Sequence, residues 1–450
     1  MILLRFVEQH AALIAAIGTL VTCVGVVIRV LYSMTGGLRS RWAAGTMDRG
    51  RKMLAFVATH ENFVKYTHSF YRSPAGGVRF YSVRIGNRRV EGTMLSKEPW
   101  CGMDIPLDDA VMEGADRRSS ASPLIGVGGA AKRRQELLVR RLRETNARLE
   151  DKPLYRLDSA DNGRISGHVY EGFVNYRFSS GLLYEEICED LAGVHARNPL
   201  KRLSSLLNRH CLRRRLLPRS TDFSNPGSWL CCGGFGALVA LKTGRRQRLE
   251  SLGRDVDEYV FWVQRRSGEV ADNQNRLALV PKGFHQPTSG DYLEGFHLRY
   301  SVFREMGEEL YGVEELEDVD NHLSCDHVIN CHEGVAWFFG DDKRLDRGRS
   351  TAEILCVGVN AINGNYDFGV LIVIQQPEYY QKFYPEMRKN WESKDMRSIR
   401  LWNRSELEGL LGSADEFASE NFFHLCEGLL RLRALLGEAV QMPEIHREWS

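Results

Sequence analysis

The sequence predicts an α/β protein whose strands and helices are joined to an N-terminal transmembrane helix and an α+β accessory region. Three observations predict this fold class: a long uncharged apolar run near the N-terminus, strand-like apolar runs in the C-terminal half, and a highly charged helical segment between those runs. At 450 residues the chain is long enough for more than one domain, and its 43% hydrophobic content is ample for a core.

The N-terminal segment has the length and composition of a membrane span. Residues 11–27 carry no charge, and apolar residues continue to residue 32, which gives about 20 residues, enough to cross a bilayer. Arg29 lies near the end of the run, where its stem could reach the headgroups. Basic residues follow at positions 39, 41, 49, 51 and 52, so the positive-inside rule predicts a single-pass protein whose C-terminal part is cytoplasmic. A buried core helix and a cleavable signal peptide are the alternatives.

The composition divides the chain into four segments. Residues 1–35 are the predicted anchor, and residues 36–150 form a juxtamembrane region with a Gly/Ser/Ala-rich flexible linker at 119–131 and a basic helix at 132–143. That helix could lie on anionic lipid or could be a solvated helix packed through its leucines. Residues 151–252 mix strands and helices in an accessory α+β extension, and residues 253–450 form the C-terminal domain.

The C-terminal domain has a clear predicted element order. Strand-like runs at residues 257–266 and 277–280 precede a loop with glycine and proline, and Ser289 or Asp291 could cap the helix that follows. Another apolar run at 334–339 precedes a predicted hairpin, in which runs at 354–359 and 370–374 flank the turn residues Asn363 and Gly364. A strand at 398–402 and an apolar-periodic helix near 417–435 complete the domain.

The charged helical segment at residues 304–312 is the strongest functional signal. Glu305, Glu308 and Glu309 fall within an arc of about 100° on a helix and therefore project from one side. Like charges this close repel one another, and a divalent cation such as Mg²⁺ removes the repulsion because it prefers oxygen ligands. A solvated face of a surface helix is the alternative interpretation.

The spacing of this segment resembles the Nudix box, in which a glycine is followed by a glutamate and then by Arg-Glu-x-x-Glu-Glu. In this register the loop glycine falls on Gly290, and Gly283 ends a Pro-Lys-Gly segment similar to that of some family members. Two positions depart from the pattern, because Phe296 stands where the family has glutamate and the closing glycine comes one residue late, at Gly312. The resemblance implies a Nudix-like α/β/α sandwich with a mixed sheet in the C-terminal domain.

Glu294 is a candidate substitute for the carboxylate missing at Phe296. It lies eleven residues before Glu305, so the two side chains would be about 20° apart if one continuous helix carried both. By resemblance, Glu305 and Arg304 would be catalytic, Arg304 by orienting a glutamate. The candidate site residues are therefore metal ligands Glu294, Glu305, Glu308 and Glu309, catalytic Glu305 and Arg304, and substrate-binding Gly283 and Gly290.

The resemblance implies hydrolysis, dependent on Mg²⁺ or Mn²⁺, of a nucleoside diphosphate linked to another group. The predicted anchor would place this reaction at the cytoplasmic face of the cell inner membrane. The degenerate box leaves a second function open, a Nudix-fold nucleotide sensor without turnover. Membrane-anchored Nudix-like proteins of this kind resemble effectors of bacterial anti-phage signalling, which would couple nucleotide binding to the membrane helix through a homo-oligomer. A membrane-tethered scaffold that binds neither a nucleotide substrate nor a nucleotide signal is the third alternative.

The predicted partners are thus a nucleotide-type small molecule and the lipid bilayer. The formal net charge of +2 gives no global field that would recruit double-stranded nucleic acid. The ten cysteines follow no regular framework, so reduced thiols are expected. Zinc is a weak alternative, because the spacing of Cys325, His327, Cys331 and His332 matches no standard zinc finger.

Overall fold

The computed structural model is a mixed α/β protein. It describes residues 60–71, 77–114, 117–119, 153–161, 164–171, 213–217, 223–250, 253–268, 273–287, 295–314 and 324–450, with further single positions between 181 and 191 and at 270. The chain divides into two compact units, Met1–Ala58 and Thr59–Ser450, and every described residue belongs to the second unit.

The predicted fold class is wrong in its transmembrane component. Among the described residues, no helix is both long enough and apolar enough to cross a membrane. The longest described helix, Ser419–Leu436, has 18 residues but carries buried Glu420, Asn421, His424 and Glu427 on the side that packs on the sheet. The apolar run at residues 11–32, on which the prediction rested, lies outside the described residues, as do the predicted linker and the basic helix at 119–143 except for residue 119.

Fifteen strands are described, and they are numbered here in chain order. They are β1 (Arg79–Ile85), β2 (Arg88–Ser96), β3 (Cys101–Pro106), β4 (Val111–Glu113), β5 (Arg118–Ser119), β6 (Leu154–Asp161), β7 (Arg164–Tyr170), β8 (Gly233–Leu249), β9 (Arg254–Arg266), β10 (Leu277–Leu279), β11 (Lys282–Phe284), β12 (Ser350–Asn360), β13 (Tyr366–Ile374), β14 (Ser393–Arg400) and β15 (Ile445–Trp449).

The helices used below are also numbered in chain order. They are α1 (His60–Phe70), α2 (Arg213–Leu216), α3 (Leu298–Tyr311), α4 (Cys325–Ile329), α5 (Glu333–Ala336), α6 (Pro377–Phe383), α7 (Arg404–Gly412) and α8 (Ser419–Leu436).

One large mixed sheet organises the described chain. Eleven strands belong to it, with the order β10-β9-β8-β13-β12-β2-β1-β15, while β11 pairs with β8, β14 with β9 and β3 with β12. β8 and β13 run parallel, from Gly233 opposite Tyr366 to Leu241 opposite Ile374, and the other pairs of this sheet are antiparallel. A second sheet of four strands contains β4, β5, β6 and β7.

The large sheet joins strands from three of the four segments drawn from the sequence. β8 ends the predicted accessory extension and β9 opens the predicted C-terminal domain, yet the two are antiparallel neighbours from Leu241↔Val260 to Leu249↔Arg254. β1, β2 and β3 fall within residues 36–150 and pair with β15 and β12 of the C-terminal segment. These long-range pairings bring residues far apart in the sequence to one sheet.

Alternate residues of β8 serve two hydrophobic cores on opposite faces of the sheet. Phe235, Ala237 and Val239 pack into the core that also contains the apolar residues of α3. Leu238 and Ala240 pack into the other core, with α7 and α8. The period of two along a strand produces this division, because successive side chains point to opposite faces.

The helix α3 carries the charged segment, and local signals define both of its ends. His297 before it has extended backbone angles, φ −64° and ψ 120°, so the helix starts at Leu298. Gly312 after it is left-handed, with φ 65°, and its N–H bonds to the Gly307 carbonyl. A glycine suits this position because a left-handed residue ends many helices and a Cβ disfavours that conformation. The late closing glycine of the sequence motif is therefore the C-terminal cap of α3.

Candidate metal centre

The helix α3 buries its charged residues instead of exposing them. The helical spacing of four residues places Glu305 and Glu309 on one side, facing β11 and the end of β9. Arg304 and Glu309 are almost completely buried, and Glu305 and Glu308 are less than a tenth exposed. A solvated helix face does not account for this arrangement, because ionisable groups are rarely buried unless they are paired.

Glu309 is held on three sides by donors. Its Oε2 accepts a hydrogen bond from the backbone N–H of Lys282 at 2.8 Å. Its Oε1 accepts from Gln264 Nε2 at 3.1 Å and from Arg266 Nη1 at 3.4 Å. These donors come from β9 and β11, so the strand edges fix the position of the carboxylate.

Glu305 is fixed by its neighbour on the helix. Arg304 Nη2 donates to Glu305 Oε1 at 2.6 Å and to Gln286 Oε1 at 3.3 Å. The carboxylate also lies directly over Gly283, where an added Cβ would overlap it. Gly283 therefore lets the backbone of β11 come close to Glu305, and the Pro-Lys-Gly segment and the acidic helix are brought into contact.

A third carboxylate, which the sequence analysis did not identify, joins these two. Glu392 lies just before β14, and its Oε2 accepts from Arg266 Nη1 at 2.8 Å. Each of Glu305, Glu309 and Glu392 offers one oxygen atom within 4.8 Å of those of the other two. The pairing of Ser393 with Arg266 at the end of β9 brings Glu392 here, and no local motif around residue 392 indicates that contact.

The other candidate residues have different positions. Glu308 is not part of the group of three carboxylates. It lies near Cys331: burial raises the pKa of the Cys331 thiol, and the charge of Glu308 raises it further. Glu294 and Gly290 lie outside the described residues. The extended backbone of His297 interrupts the helix between Glu294 and Glu305, so the alignment expected of one continuous helix does not apply.

Phe296 occupies a core position. It is 1% exposed, its ring is stacked on that of His285 with centroids 5.5 Å apart, and the Tyr155 ring lies 4.8 Å away. Its backbone carbonyl contacts His285 Nε2 at 2.9 Å. A carboxylate in this aromatic environment would be buried among rings, so the departure from the motif at position 296 contributes to packing.

The electrostatics of the cluster are set by burial. Burial raises the pKa of Glu309 well above its ordinary value, and the charges of Glu392 and Glu305 raise it further. The guanidinium of Arg266 and the hydrogen bond from Gln264 oppose this effect. The Glu309 carboxyl therefore holds a proton more readily than an ordinary exposed glutamate does.

The donor set fits a hard divalent cation. Mg²⁺ and Mn²⁺ prefer carboxylate oxygens, and three carboxylates that would otherwise repel one another are gathered here. Among the described residues this is the one group of three or more such ligands, and the zinc-compatible residues do not form a second. His332, for example, accepts from the Gly334 N–H and lies 3.1 Å from Glu386, while Cys325 is buried.

No model of a known protein family matches the chain, and no curated protein matches it. The resemblance to the Nudix box therefore stays a prediction based on the residues from Arg304 to Gly312, on the register that connects them with Gly290, and on the upstream Pro-Lys-Gly segment that ends at Gly283.

Proposed function

We propose that this protein hydrolyses a phosphoanhydride bond in a nucleoside diphosphate linked to another group, and that the reaction depends on Mg²⁺. The observation that carries the proposal is the buried group of Glu305, Glu309 and Glu392, whose oxygens lie within 4.8 Å of one another. Three ionised carboxylates this close repel one another, and a bound divalent cation removes that repulsion. The Nudix resemblance of the segment supports the same chemistry.

The residues of the chain have separate tasks in this proposal. Glu305, Glu309 and Glu392 would hold the cation, which when bound neutralises phosphate charge and lowers the pKa of water. Arg304 fixes Glu305 through a charge-assisted hydrogen bond. The N–H of Lys282 fixes Glu309, and Gly283 lets the β11 backbone approach the carboxylates. This preorganised arrangement reduces the reorganisation needed when the ligand binds.

Isosteric substitutions in the cluster test the proposal. Glu305→Gln and Glu392→Gln should each lower Mg²⁺-dependent release of nucleotide products by about 100-fold or more, because removing even an outer partner of a metal ligand costs about 10- to 100-fold. Activity would be measured on a panel of nucleoside diphosphate sugars, dinucleoside polyphosphates and dinucleotide cofactors. Glu408→Gln, on the exposed face of α7, is the matched control and should retain full activity.

The variant Glu308→Gln tests whether the metal ligands are those of the family pattern or those that the structure brings together. The family pattern implies that Glu308 is a metal ligand, whereas the described structure leaves it outside the group of three carboxylates. We expect this variant to retain activity within about threefold, a change below 1 kcal/mol. Full Mg²⁺-dependent activity in Glu305→Gln, with its melting temperature unchanged, would contradict the proposed function.

A second function, nucleotide binding without turnover, is favoured by one specific observation. Phe296 fills the core at a position where the family pattern has glutamate, so the described residues supply fewer carboxylates than the complete motif. The same ligand panel distinguishes the two functions. Binding measured by calorimetry with no product after prolonged incubation with Mg²⁺ would establish the sensor, and product formation would establish the enzyme.

A further inference from the structure

Arg266 is placed inside the carboxylate cluster in an unusual way. One nitrogen, Nη1, contacts two different carboxylates, Glu392 Oε2 at 2.8 Å and Glu309 Oε1 at 3.4 Å. The guanidinium therefore supplies positive charge to the same two groups that would hold a divalent cation. A divalent cation held by these carboxylates would supply positive charge to the same two groups, so it competes with Nη1 for them.

The backbone of Arg266 is fixed while its side chain reaches the open side of the cluster. Its N–H bonds to the Arg276 carbonyl at 2.9 Å, and its own carbonyl accepts from the Asn275 N–H at 3.2 Å. The side chain of Glu309 is 0% exposed, that of Arg266 is 11% exposed and that of Glu392 is 20% exposed. Glu392 is thus the most exposed of the three carboxylates and Arg266 is paired with it, so we expect a ligand to approach the cluster from the side of Glu392.

We propose that Arg266 is the resident counter-ion of the cluster, that a divalent cation displaces its guanidinium from Glu309 and Glu392, and that the displaced guanidinium binds a phosphate of the ligand. This inference rests on the cation site of the proposed function and assigns the phosphate-positioning residue of that site. With the cation bound, the three carboxylates no longer need the arginine charge. A planar guanidinium at the solvent side then matches a phosphate in charge and in hydrogen-bond geometry.

Replacement of Arg266 has two opposite expected effects. In Arg266→Met the affinity for Mn²⁺ alone should rise roughly tenfold, because a competing charge is gone, whereas the affinity for inorganic pyrophosphate in the presence of Mn²⁺ should fall roughly tenfold. Both affinities are measured by isothermal titration calorimetry on the full chain. A residue that merely supports the structure would lower both affinities, so the opposite signs identify the proposed role.

Arg265→Met is the matched control. Arg265 is the neighbour of Arg266 on β9, pairs with Glu416 and is a third exposed, so its removal changes the net charge equally without touching the cluster. It should change neither affinity by more than about twofold. Arg266→Lys keeps a positive charge beside Glu309 and Glu392, so its Mn²⁺ affinity should stay close to that of the wild type. Arg266→Gln replaces the methionine variant if the latter does not fold.

Each outcome decides the inference, and the outcomes separate it from the proposed function. If Arg266→Met melts like the wild type and binds Mn²⁺ with equal or lower affinity, the displacement is disproved while the cation site stands. If neither protein binds Mn²⁺, both the inference and the proposed function fail. If only Arg266→Met binds Mn²⁺, the guanidinium blocks the site instead of being displaced from it, so the inference fails and a Mg²⁺-dependent reaction in the wild type is disproved.

Discussion

Glu309 is a buried residue whose surroundings determine both its hydrogen bonds in the fold and the pKa of its carboxyl group. Its carboxyl accepts hydrogen bonds from Lys282, Gln264 and Arg266, yet burial and two neighbouring carboxylates raise its pKa. The same burial that makes the charged form costly makes a bound cation more effective, because a low local dielectric strengthens electrostatic attraction. In the proposed cation site, Glu309 would therefore exchange a proton for the cation.

Cation binding is expected to release a proton and to strengthen with pH. The raised pKa of Glu309 means that the cation-free protein holds the proton above the ordinary carboxyl pKa of 4.5, and a metal ligand must lose it. Mn²⁺ affinity should thus increase by up to about tenfold per pH unit between 4.5 and the raised pKa, and level off above it.

Calorimetry in two buffers of different ionisation enthalpy measures the number of protons released with Mn²⁺. Glu309→Gln has no proton to lose, so any residual Mn²⁺ binding by this variant should release fewer protons than binding by the wild type. Proton release equal in both proteins would show that Glu309 is not the group that exchanges its proton for the cation.

At the scale of elements, glycines at the ends and in the interior of helices have opposite roles. Gly312 ends α3 in the left-handed conformation, and a Cβ there would lie 2.8 Å from Arg388 Nε. Gly409 lies within the exposed part of α7, and a Cβ there would meet nothing within 4 Å. The same substitution should therefore destabilise one helix and stabilise the other.

Gly312→Ala should lower the free energy of unfolding by about 1–2 kcal/mol, because alanine is disfavoured at positive φ and Arg388 must move. Gly409→Ala should raise it by about 0.5–1 kcal/mol through the higher helix propensity of alanine. Chemical denaturation of both variants measures the two changes. A free energy of unfolding that is unchanged or raised in Gly312→Ala would contradict the assignment of Gly312 as the C-terminal cap.

Short elements differ most from what the sequence predicts. The apolar run at 334–339 reads as a strand, but residues Glu333–Ala336 form the short helix α5, in which the His332 ring accepts from the Gly334 N–H. The predicted hairpin agrees with β12 and β13, which pair antiparallel around a turn with Gly364 at φ 77°. A hairpin is specified by local turn chemistry, whereas a short apolar run is compatible with either structure.

At the scale of the whole molecule, the predictable part of the site is the part carried by one helix. Arg304, Glu305 and Glu309 lie within five positions of one another, and helical spacing alone brings them together. Glu392 and Arg266 could not be predicted, because β9 and β14 are separated by more than a hundred residues and meet only through sheet pairing. Sequence periodicity predicts which residues share one face of a helix or strand. Which other helix or strand packs against that face depends on the topology of the whole sheet.

The whole fold also buries two histidines, His285 and His424, and this should make its stability sensitive to acid. The pKa of each is lowered to about 3, chiefly by burial; for His424 the charge of Lys282 contributes to this lowering and the Asp367 backbone opposes it. Each ring stays neutral in the folded protein, whereas an unfolded histidine takes up a proton below about pH 6.5. The unfolded state therefore binds more protons than the folded state between about pH 6.5 and 3. The free energy of unfolding decreases as the pH is lowered through that window.

Each of these histidines should cost about 1.4 kcal/mol of unfolding free energy per pH unit as the pH falls through this window. His424→Leu should remove one such contribution, which urea denaturation at pH 7, 6 and 5 would detect as a shallower dependence. At pH 7 the free energy of unfolding of the variant should equal that of the wild type or exceed it by about 1 kcal/mol, because neither ring nitrogen makes a well-aligned hydrogen bond among the described residues. His446→Leu, at an exposed position, is the control and should keep the wild-type slope. An unchanged slope in His424→Leu would mean that His424 does not remain neutral and buried in the folded protein.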